Sequence, residues 1–126
     1  MIGDSTFFVT LHREQKRHKP GPAHALLAAM GDEEIAMSAI TRGELARGFY
    51  DHAQWQAFCA PFKTYEINDA VFWQAAETYR YLRDQGIFTG ENDLWIAATA
   101  LATGQVLITN NTKNFSKIPR LKIQSH

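Results

Sequence analysis

Several hallmarks of other protein classes are missing from this sequence. It has a single cysteine, Cys59, so no disulfide can form within the chain and no cysteine cluster can hold zinc. No run of about 18 apolar residues occurs, and the first residues lack the charged and apolar segments of a signal peptide. We therefore expect a protein of the reducing cytoplasm, with no membrane segment.

Charge of one sign is also lacking, because 13 basic residues balance 13 acidic ones. Bulk charge therefore does not hold the chain on nucleic acid, although a local basic patch can still face a local acidic site. The phosphate-binding glycine motifs and the zinc motif H-E-x-x-H are absent. What is present is an apolar fraction of 45% in 126 residues, which is typical of one globular domain over residues 1–126.

Short apolar runs alternate with amphipathic segments along the chain. The predicted strands are 35–40, 64–67, 105–109 and 121–124. The predicted helices are 23–30, 41–50, 53–62, 93–102 and a long one from Asp69 to a stop at Gly86. Residues 6–11 fit a strand or a strand running into a helix. This alternation predicts parallel βαβ units in a three-layer α/β/α sandwich with a central, mostly parallel sheet.

Three acidic residues lie at element boundaries, beside hydroxyl or amide residues. The pairs are Asp4 with Ser5, Glu44 with Thr41, and Asp93 with Asn92. Ligands of a parallel sheet bind at the carboxyl ends of its strands, where such residues meet. Three carboxylates gathered there would repel one another unless a cation joined them. Oxygen ligands suit Mg²⁺ or Mn²⁺, and such an ion supports hydrolysis of a phosphodiester bond.

Each acid also has a purely structural interpretation. Residues 41–44 (TRGE) fit a capping box, in which Glu44 returns to the amide of Thr41. Asp93 fits an acid in the first turn of a helix that Asn92 caps. Asp4, near a terminus, fits a solvated charge. Residue types and spacing alone leave both interpretations open.

Two further groups have a functional and a structural interpretation. The basic segment 12–19 could contact phosphates, or it could be a solvated loop or helix end. A set of aromatic side chains could stack on bases, dock a partner helix or pack in the core. Its members are Phe49, Tyr50, Trp55, Phe58 and Phe62.

Three stretches, in order along the chain, resemble the PIN-domain family and, within it, the VapC-type toxins. The first is Met1–Ser5, an apolar opening followed by Asp and Ser. The second is 35–48 (IAMSAITRGELARG), with its strand, Thr and Glu-Leu. The third is 90–123, which contains N-D-x-x-I-A-A-x-A-x-x-x-G, a strand, T-x-N, and a closing Phe and Pro-x-Leu.

The resemblance implies a PIN fold, a Mg²⁺-dependent endoribonuclease and a type II toxin that a small VapB-like antitoxin neutralises. It assigns the metal-site role to Asp4, Glu44 and Asp93. It also implies a homodimer that reaches operator DNA only through the antitoxin. Finally, it predicts that Asp4 ends a very short strand and that residues 5–11 begin a helix.

The sequence departs from the family where a fourth acid commonly follows the strand 105–109. Asn111 and Asn114 occupy those positions. An asparagine carbonyl can still bind a metal or its water, so Asn111 joins the predicted ligands, but the lost charge should weaken a second cation. Glu91 could compensate, and Thr109 and Asn114 complete the predicted supporting residues. The alternative function is a catalytically weak PIN subunit that mainly binds an antitoxin or RNA.

Overall fold

Five short strands form one sheet in the computed structural model, which describes residues 1–126. The strands are β1 (Ile2–Gly3), β2 (Ala36–Ser38), β3 (Lys63–Tyr65), β4 (Leu107–Ile108) and β5 (Ile123–Gln124). Their order across the sheet is β3-β2-β1-β4-β5, and every neighbouring pair is parallel. The predicted central, mostly parallel sheet is confirmed, and the sheet is in fact wholly parallel.

Seven helices cover the two faces of this sheet. They are α1 (Ser5–Lys16), α2 (Pro22–Met30), α3 (Ala39–Ala46), α4 (His52–Cys59), α5 (Asp69–Asp84), α6 (Glu91–Thr103) and α7 (Thr112–Phe115). Successive strand residues point to opposite faces, so Met37 and Ile108 pack with α1–α4, while Ala36 and Leu107 pack with α5–α7. The predicted three-layer α/β/α architecture is confirmed. No helix combines the length and the apolar character that crossing a bilayer needs.

The close packing of α1 on β1 requires glycine at position 3. A Cβ there would lie 2.8 Å from Cδ1 of Phe7 and 2.9 Å from Cε2 of Phe8, closer than carbon atoms pack. Both rings are fully buried, so neither has open space to move into. Gly3 therefore sets how closely α1 follows β1, and with it the position of Asp4.

The start of α3 differs from its prediction. The helix begins at Ala39, because Ser38 is its N-cap and the Ser38 side chain accepts a hydrogen bond from the Thr41 amide at 3.0 Å. The interpretation of Thr41 and Glu44 as a capping box is therefore wrong. Glu44 lies farther along the helix, where its side chain is free for other contacts.

Two other boundaries near the sheet edge are resolved by the structure. Helix α6 begins at Glu91 behind Gly90, so Asn92 lies within the first turn and the prediction that Asn92 caps this helix is wrong. The strand interpretation of residues 6–11 is also wrong, because these residues are helical. The prediction that Asp4 ends a very short strand is confirmed.

The basic segment and the aromatic set also have defined places. Helix α1 continues through Lys16, and residues 17–21 form the turn to α2. Trp55, Phe58 and Phe62 pack against the core beneath α1–α4. The ring of Phe49 lies 4.6 Å from that of His12, centroid to centroid. Packing within the domain therefore accounts for the aromatic set except Tyr50, which is fully exposed.

A buried carboxylate, Glu14 of α1, fixes the start of α2. It accepts hydrogen bonds from the amides of Gly21, Ala23 and His24 at 2.8–3.0 Å, and its Oε1 lies 2.6 Å from Nδ1 of His24. Amides at the start of a helix otherwise lack partners within the helix. Burial by itself would raise the pKa of Glu14, but these hydrogen bonds outweigh it and lower the pKa to about 2.

We predict that Glu14 makes the fold sensitive to acid. Because its pKa is lower in the folded chain, its stabilisation is present above about pH 4.5 and is lost as the pH falls toward 2. Glu14→Gln should lower the free energy of unfolding by on the order of 1–2 kcal/mol near pH 7, and by less than half as much near pH 3. Urea denaturation measures both differences; equal differences would contradict the prediction.

Candidate metal centre

Asp4 follows β1 directly and is almost fully buried, with 3% of its surface exposed. Its Oδ1 accepts hydrogen bonds from the amide of Phe7 at 3.1 Å and from Oγ1 of Thr6 at 2.6 Å, which makes Asp4 the N-cap of α1. Its Oδ2 accepts a hydrogen bond from Oγ1 of Thr109, the residue after β4, at 2.5 Å. The carboxylate thus joins β1, α1 and β4 at the carboxyl edge of the sheet.

Asp93 lies half-buried in the first turn of α6. Its Oδ2 accepts a hydrogen bond from Nδ2 of Asn114 at 2.7 Å and a longer one from Nδ2 of Asn111 at 3.5 Å. Burial raises the pKa of Asp93; the Asn114 hydrogen bond opposes this rise, and the negative charge of Asp4 adds to it. Asp4 and Asp93 are therefore near enough to repel each other.

Glu44 of α3 faces the start of α6. Its Oε2 accepts a hydrogen bond from Nδ2 of Asn92 at 3.3 Å, whereas its Oε1 is buried with no hydrogen-bond partner. A buried carboxylate oxygen without a partner is uncommon, because it has lost water and gained nothing in return. Such an oxygen is a suitable ligand for a cation.

The three carboxylates do not form a ready-made ligand cluster. No group of three or more His, Cys, Asp or Glu side chains is arranged to hold a metal in this structure. The charges of Asp4 and Asp93 interact with each other, while the side chain of Glu44 accepts its one hydrogen bond from Asn92, the residue before Asp93. The ligand oxygens of the three acids are therefore not gathered around one point in this structure.

The structure brings some predicted supporting residues to the acids and leaves others apart. Thr109, Asn92 and Asn114 each bond to one of the three acids. Thr41 is buried and bonds to Ser38 instead. The side chains of Glu91 and Ser5 make no hydrogen bond to the acids: Glu91 is exposed and accepts from Nε1 of Trp95, and Ser5 makes no side-chain hydrogen bond.

Sequence reasoning missed three residues at this edge: Thr6, Asn110 and His126. The backbone amide of His126 donates to Oδ1 of Asn110 at 3.0 Å. The ring Nε2 of His126 lies 3.4 Å from Oγ1 of Thr6. Burial lowers the pKa of His126, while the charges of Asp4 and Glu14 oppose that change. Thr6 could have been found from the sequence, because it lies two residues after the N-cap Asp4 and bonds to it. His126 could not, because the residues it contacts are distant in sequence.

The donors present fit a hard divalent cation. The carboxylate oxygens of the three acids are ligands of the kind that Mg²⁺ and Mn²⁺ bind, whereas the amides of Asn92, Asn111 and Asn114 face these acids through Nδ2. The unpartnered Oε1 of Glu44 and the repulsion between Asp4 and Asp93 are both features that a bound cation would relieve. Asp4, Asp93 and Glu44 are therefore the residues that would hold it, with Asn111 beside them.

The match to a known family extends over nearly the whole chain: residues 1–121 match the PIN-domain family model. The chain belongs to the PIN-domain family. It is 33% identical over 95 residues to ribonuclease VapC1 of Methanocaldococcus jannaschii, a match that covers 73% of this chain and 68% of that protein. It is 31% identical over 100 residues to ribonuclease VapC1 of Haemophilus influenzae, with 74% and 75% covered. The predicted resemblance to VapC-type ribonucleases is confirmed.

Solved structures show the same fold for this PIN-domain chain. A chain of the VapBC2 complex of Rickettsia felis, bound to a promoter DNA fragment, superposes with a TM-score of 0.84 at 26% identity, covering 99% of this chain and 97% of that one. VapBC-1 of nontypeable Haemophilus influenzae gives a TM-score of 0.75 at 26% identity, covering 98% and 96%. The PIN fold implied by the resemblance is confirmed from end to end.

We predict that Asp93→Asn leaves the metal-free PIN domain at least as stable as the wild type. Burial and Asp4 raise the pKa of Asp93, so its ionised form costs stability above the ordinary carboxyl pKa, and stability is regained as the pH falls. Asparagine carries no charge and can still accept the Asn114 hydrogen bond. Thermal unfolding in EDTA near neutral pH should show an equal or higher Tm; a Tm lower by several degrees would contradict this.

Proposed function

We propose that this PIN-domain chain is a Mg²⁺-dependent endoribonuclease and the toxin of a type II toxin–antitoxin pair. The main support is the position of Asp4 and Asp93, two carboxylates that repel each other at the carboxyl edge of the sheet, with an unpartnered oxygen of Glu44 nearby. This is the edge at which parallel sheets bind their ligands. The names of the VapC relatives, which are ribonucleases, give further support.

The chain's own residues prepare the site for an ion and a phosphodiester. Thr6 and Thr109 hold the two oxygens of Asp4, and Asn114 holds one oxygen of Asp93. Such partners orient ligand carboxylates, and their loss typically weakens a metal site. The side-chain oxygen of Asn111 would serve as a further ligand if the side-chain amide rotated by about 180°, because Nδ2 now faces Asp93. When bound, Mg²⁺ or Mn²⁺ supplies an acidified water and neutralises charge on a phosphoryl oxygen.

We further propose a VapB-like antitoxin as partner, a homodimer, and a cytoplasmic location. The antitoxin is supported by chains of similar structure that come from VapBC complexes, whereas the homodimer and the location are implied by the resemblance to VapC-type toxins. One of those complexes is bound to promoter DNA. Because this chain has no net charge, we expect operator DNA to be reached through the antitoxin and not by this chain directly. Light scattering after size-exclusion chromatography, with and without the antitoxin, tests these assemblies.

A second candidate function is a catalytically weak subunit that mainly binds the antitoxin or RNA. It is favoured by Asn111 and Asn114, which stand where the family commonly has an acid. Asn114 uses its amide group to donate to Asp93, and its Oδ1 accepts from Thr89 at 3.4 Å. Its orientation is therefore that of a hydrogen-bond donor to the site and not that of a ligand.

We predict that the purified chain cleaves RNA in the presence of Mg²⁺ and that Asp4→Asn and Asp93→Asn each reduce cleavage by about 100-fold or more. The reason is that each substitution removes a ligand charge while keeping the shape of the side chain. Digestion of total RNA, followed by gel electrophoresis, measures this. Asp69→Asn, which changes an exposed acid in the first turn of α5, is the matched control and should cleave normally. Cleavage that persists in EDTA, or in both site variants, would contradict the proposal.

Calorimetric titration with Mn²⁺ separates the two candidate functions. For a nuclease, we predict that wild type binds Mn²⁺ and that Asp93→Asn binds it at least about 10-fold more weakly. Asn114→Asp replaces a donor to Asp93 with a like charge, so it should tighten Mn²⁺ binding and lower the metal-free Tm. If wild type gives no heat while antitoxin binding is intact, the weak subunit is the better description.

A further inference from the structure

One face of α1 leads away from the candidate metal centre and carries two arginines. We call Thr6, Thr10 and Arg13 of α1, together with its C-cap residue Arg17, the basic face; at 3.6 residues per turn they lie within about 60° of one another around the helix axis. Oγ1 of Thr6 bonds to Asp4, and Oγ1 of Thr10 donates to the carbonyl of Thr6 at 2.9 Å. Arg13 and Arg17 are exposed. The face therefore runs continuously from Asp4 toward the end of α1.

The far end of the basic face opens into a polar cavity of about 400 Å³. Thr10, Arg13 and Arg17 line one side, and the turn from Lys19 to Pro22 lines the other. Glu14 holds that turn in place through the amides of residues 21, 23 and 24. Apart from Pro20, Gly21 and Pro22, every lining residue has a charged or hydroxyl side chain, so the cavity suits a charged or polar ligand.

The cations of this region have no carboxylate partner. The ion pairs of the structure are Met1–Glu33, His24–Glu14 and Arg83–Asp84, and none of them involves Arg13, Arg17 or Lys19. Glu14 also lines the cavity, but its two oxygens accept hydrogen bonds from backbone amides and lie beside the ring of His24. Its charge is therefore directed into the fold, and the guanidinium groups remain available to an outside anion.

We propose that the basic face of α1, together with Lys19, binds phosphates of the RNA strand next to the bond that is cleaved. This inference rests on the proposed nuclease function. Thr6 and Arg17 are separated by about 16 Å along the helix, enough for several phosphates of a single strand and more than a lone anion needs. Acidic residues at the metal centre repel phosphates, and a neighbouring row of cations offsets that repulsion for a strand that must pass both.

The test is the salt dependence of RNA binding. Each protein carries Asp93→Asn and is kept in EDTA, so a short fluorescein-labelled single-stranded RNA of mixed sequence is bound without being cut. Fluorescence anisotropy gives Kd between about 50 and 200 mM KCl. Arg13→Gln with Arg17→Gln should weaken binding on the order of 10-fold at low salt. It should also reduce the slope of log Kd against log salt by about 0.7 for each lost contact.

Two variants serve as controls. Lys63→Gln with Lys122→Gln removes the same charge at the amino ends of β3 and β5, the edge of the sheet opposite Asp4, and should leave the slope unchanged. Arg13→Lys with Arg17→Lys keeps both charges and should keep the slope, which shows that the charge of these side chains sets it; a wild-type Tm of the glutamine pair shows that this pair is folded.

An unchanged slope in the glutamine pair would overturn the inference. So would a glutamine pair that binds RNA normally but loses the antitoxin, because the face would then belong to an acidic protein partner. These failures differ from failure of the proposed function. If Asp4→Asn abolishes cleavage but the slope does not change, only the role of the basic face is wrong. If Asp4→Asn still cleaves, the nuclease site is wrong whatever the slope.

Discussion

The buried carboxylate of Asp4 is the contact on which the rest of this structure depends. Strand β1 is only two residues long, and its neighbours β2 and β4 reach it from distant parts of the chain. One oxygen of Asp4 starts α1 and the other receives the hydroxyl of Thr109 after β4. The Asp4 amide also bonds to the carbonyl of Ile108 at 3.0 Å. Asp4 thus serves folding through the hydrogen bonds that its oxygens accept. In our proposal, its negative charge also serves metal binding.

Much of the fold follows from patterns that are local in the sequence. The apolar runs and the amphipathic helix beginning at Asp69 are enough to predict parallel βαβ units, because each can bury its apolar side only in a layered arrangement. The exact ends were harder to predict. β-Branched and aromatic composition favours a strand at residues 6–11, but Phe7, Phe8 and Leu11 bury one side of a helix, and that tertiary packing decides. Ser38, and not Thr41, is the N-cap of α3, because β2 ends at Ser38 although the apolar run continues to residue 40.

The candidate site was predictable only in part, for a similar reason. Local helix chemistry could explain Glu44 and Asp93, and a solvated charge near a terminus could explain Asp4, so their assignment as ligands came from the resemblance to PIN domains. Thr6 and His126 meet across 120 positions of sequence, and no local pattern encodes such a contact. The direction of the Asn114 amide, a donor to Asp93, likewise depends on Thr89 in another loop. Long-range partners of this kind set the electrostatics of the site.

Neutral composition conceals a separation of charge in this chain. Asp4, Glu44 and Asp93 lie at the carboxyl edge of the sheet, while Arg13 and Arg17, which form no ion pair, follow the outer face of α1 from that edge. A site that must attract a metal ion and also a polyanion needs both signs close together but not cancelling each other. Here the hydrogen bonds to Glu14 keep the one acid of that segment turned inward.

The most direct measurement is a crystal structure of the chain with Mn²⁺, with the ion located by its anomalous scattering. Our interpretation predicts one strong peak in contact with carboxylate oxygens of both Asp4 and Asp93, with Glu44 turned toward it directly or through a water. An ion bound elsewhere, or no ion at Mn²⁺ concentrations that support RNA cleavage, would contradict the proposed metal centre.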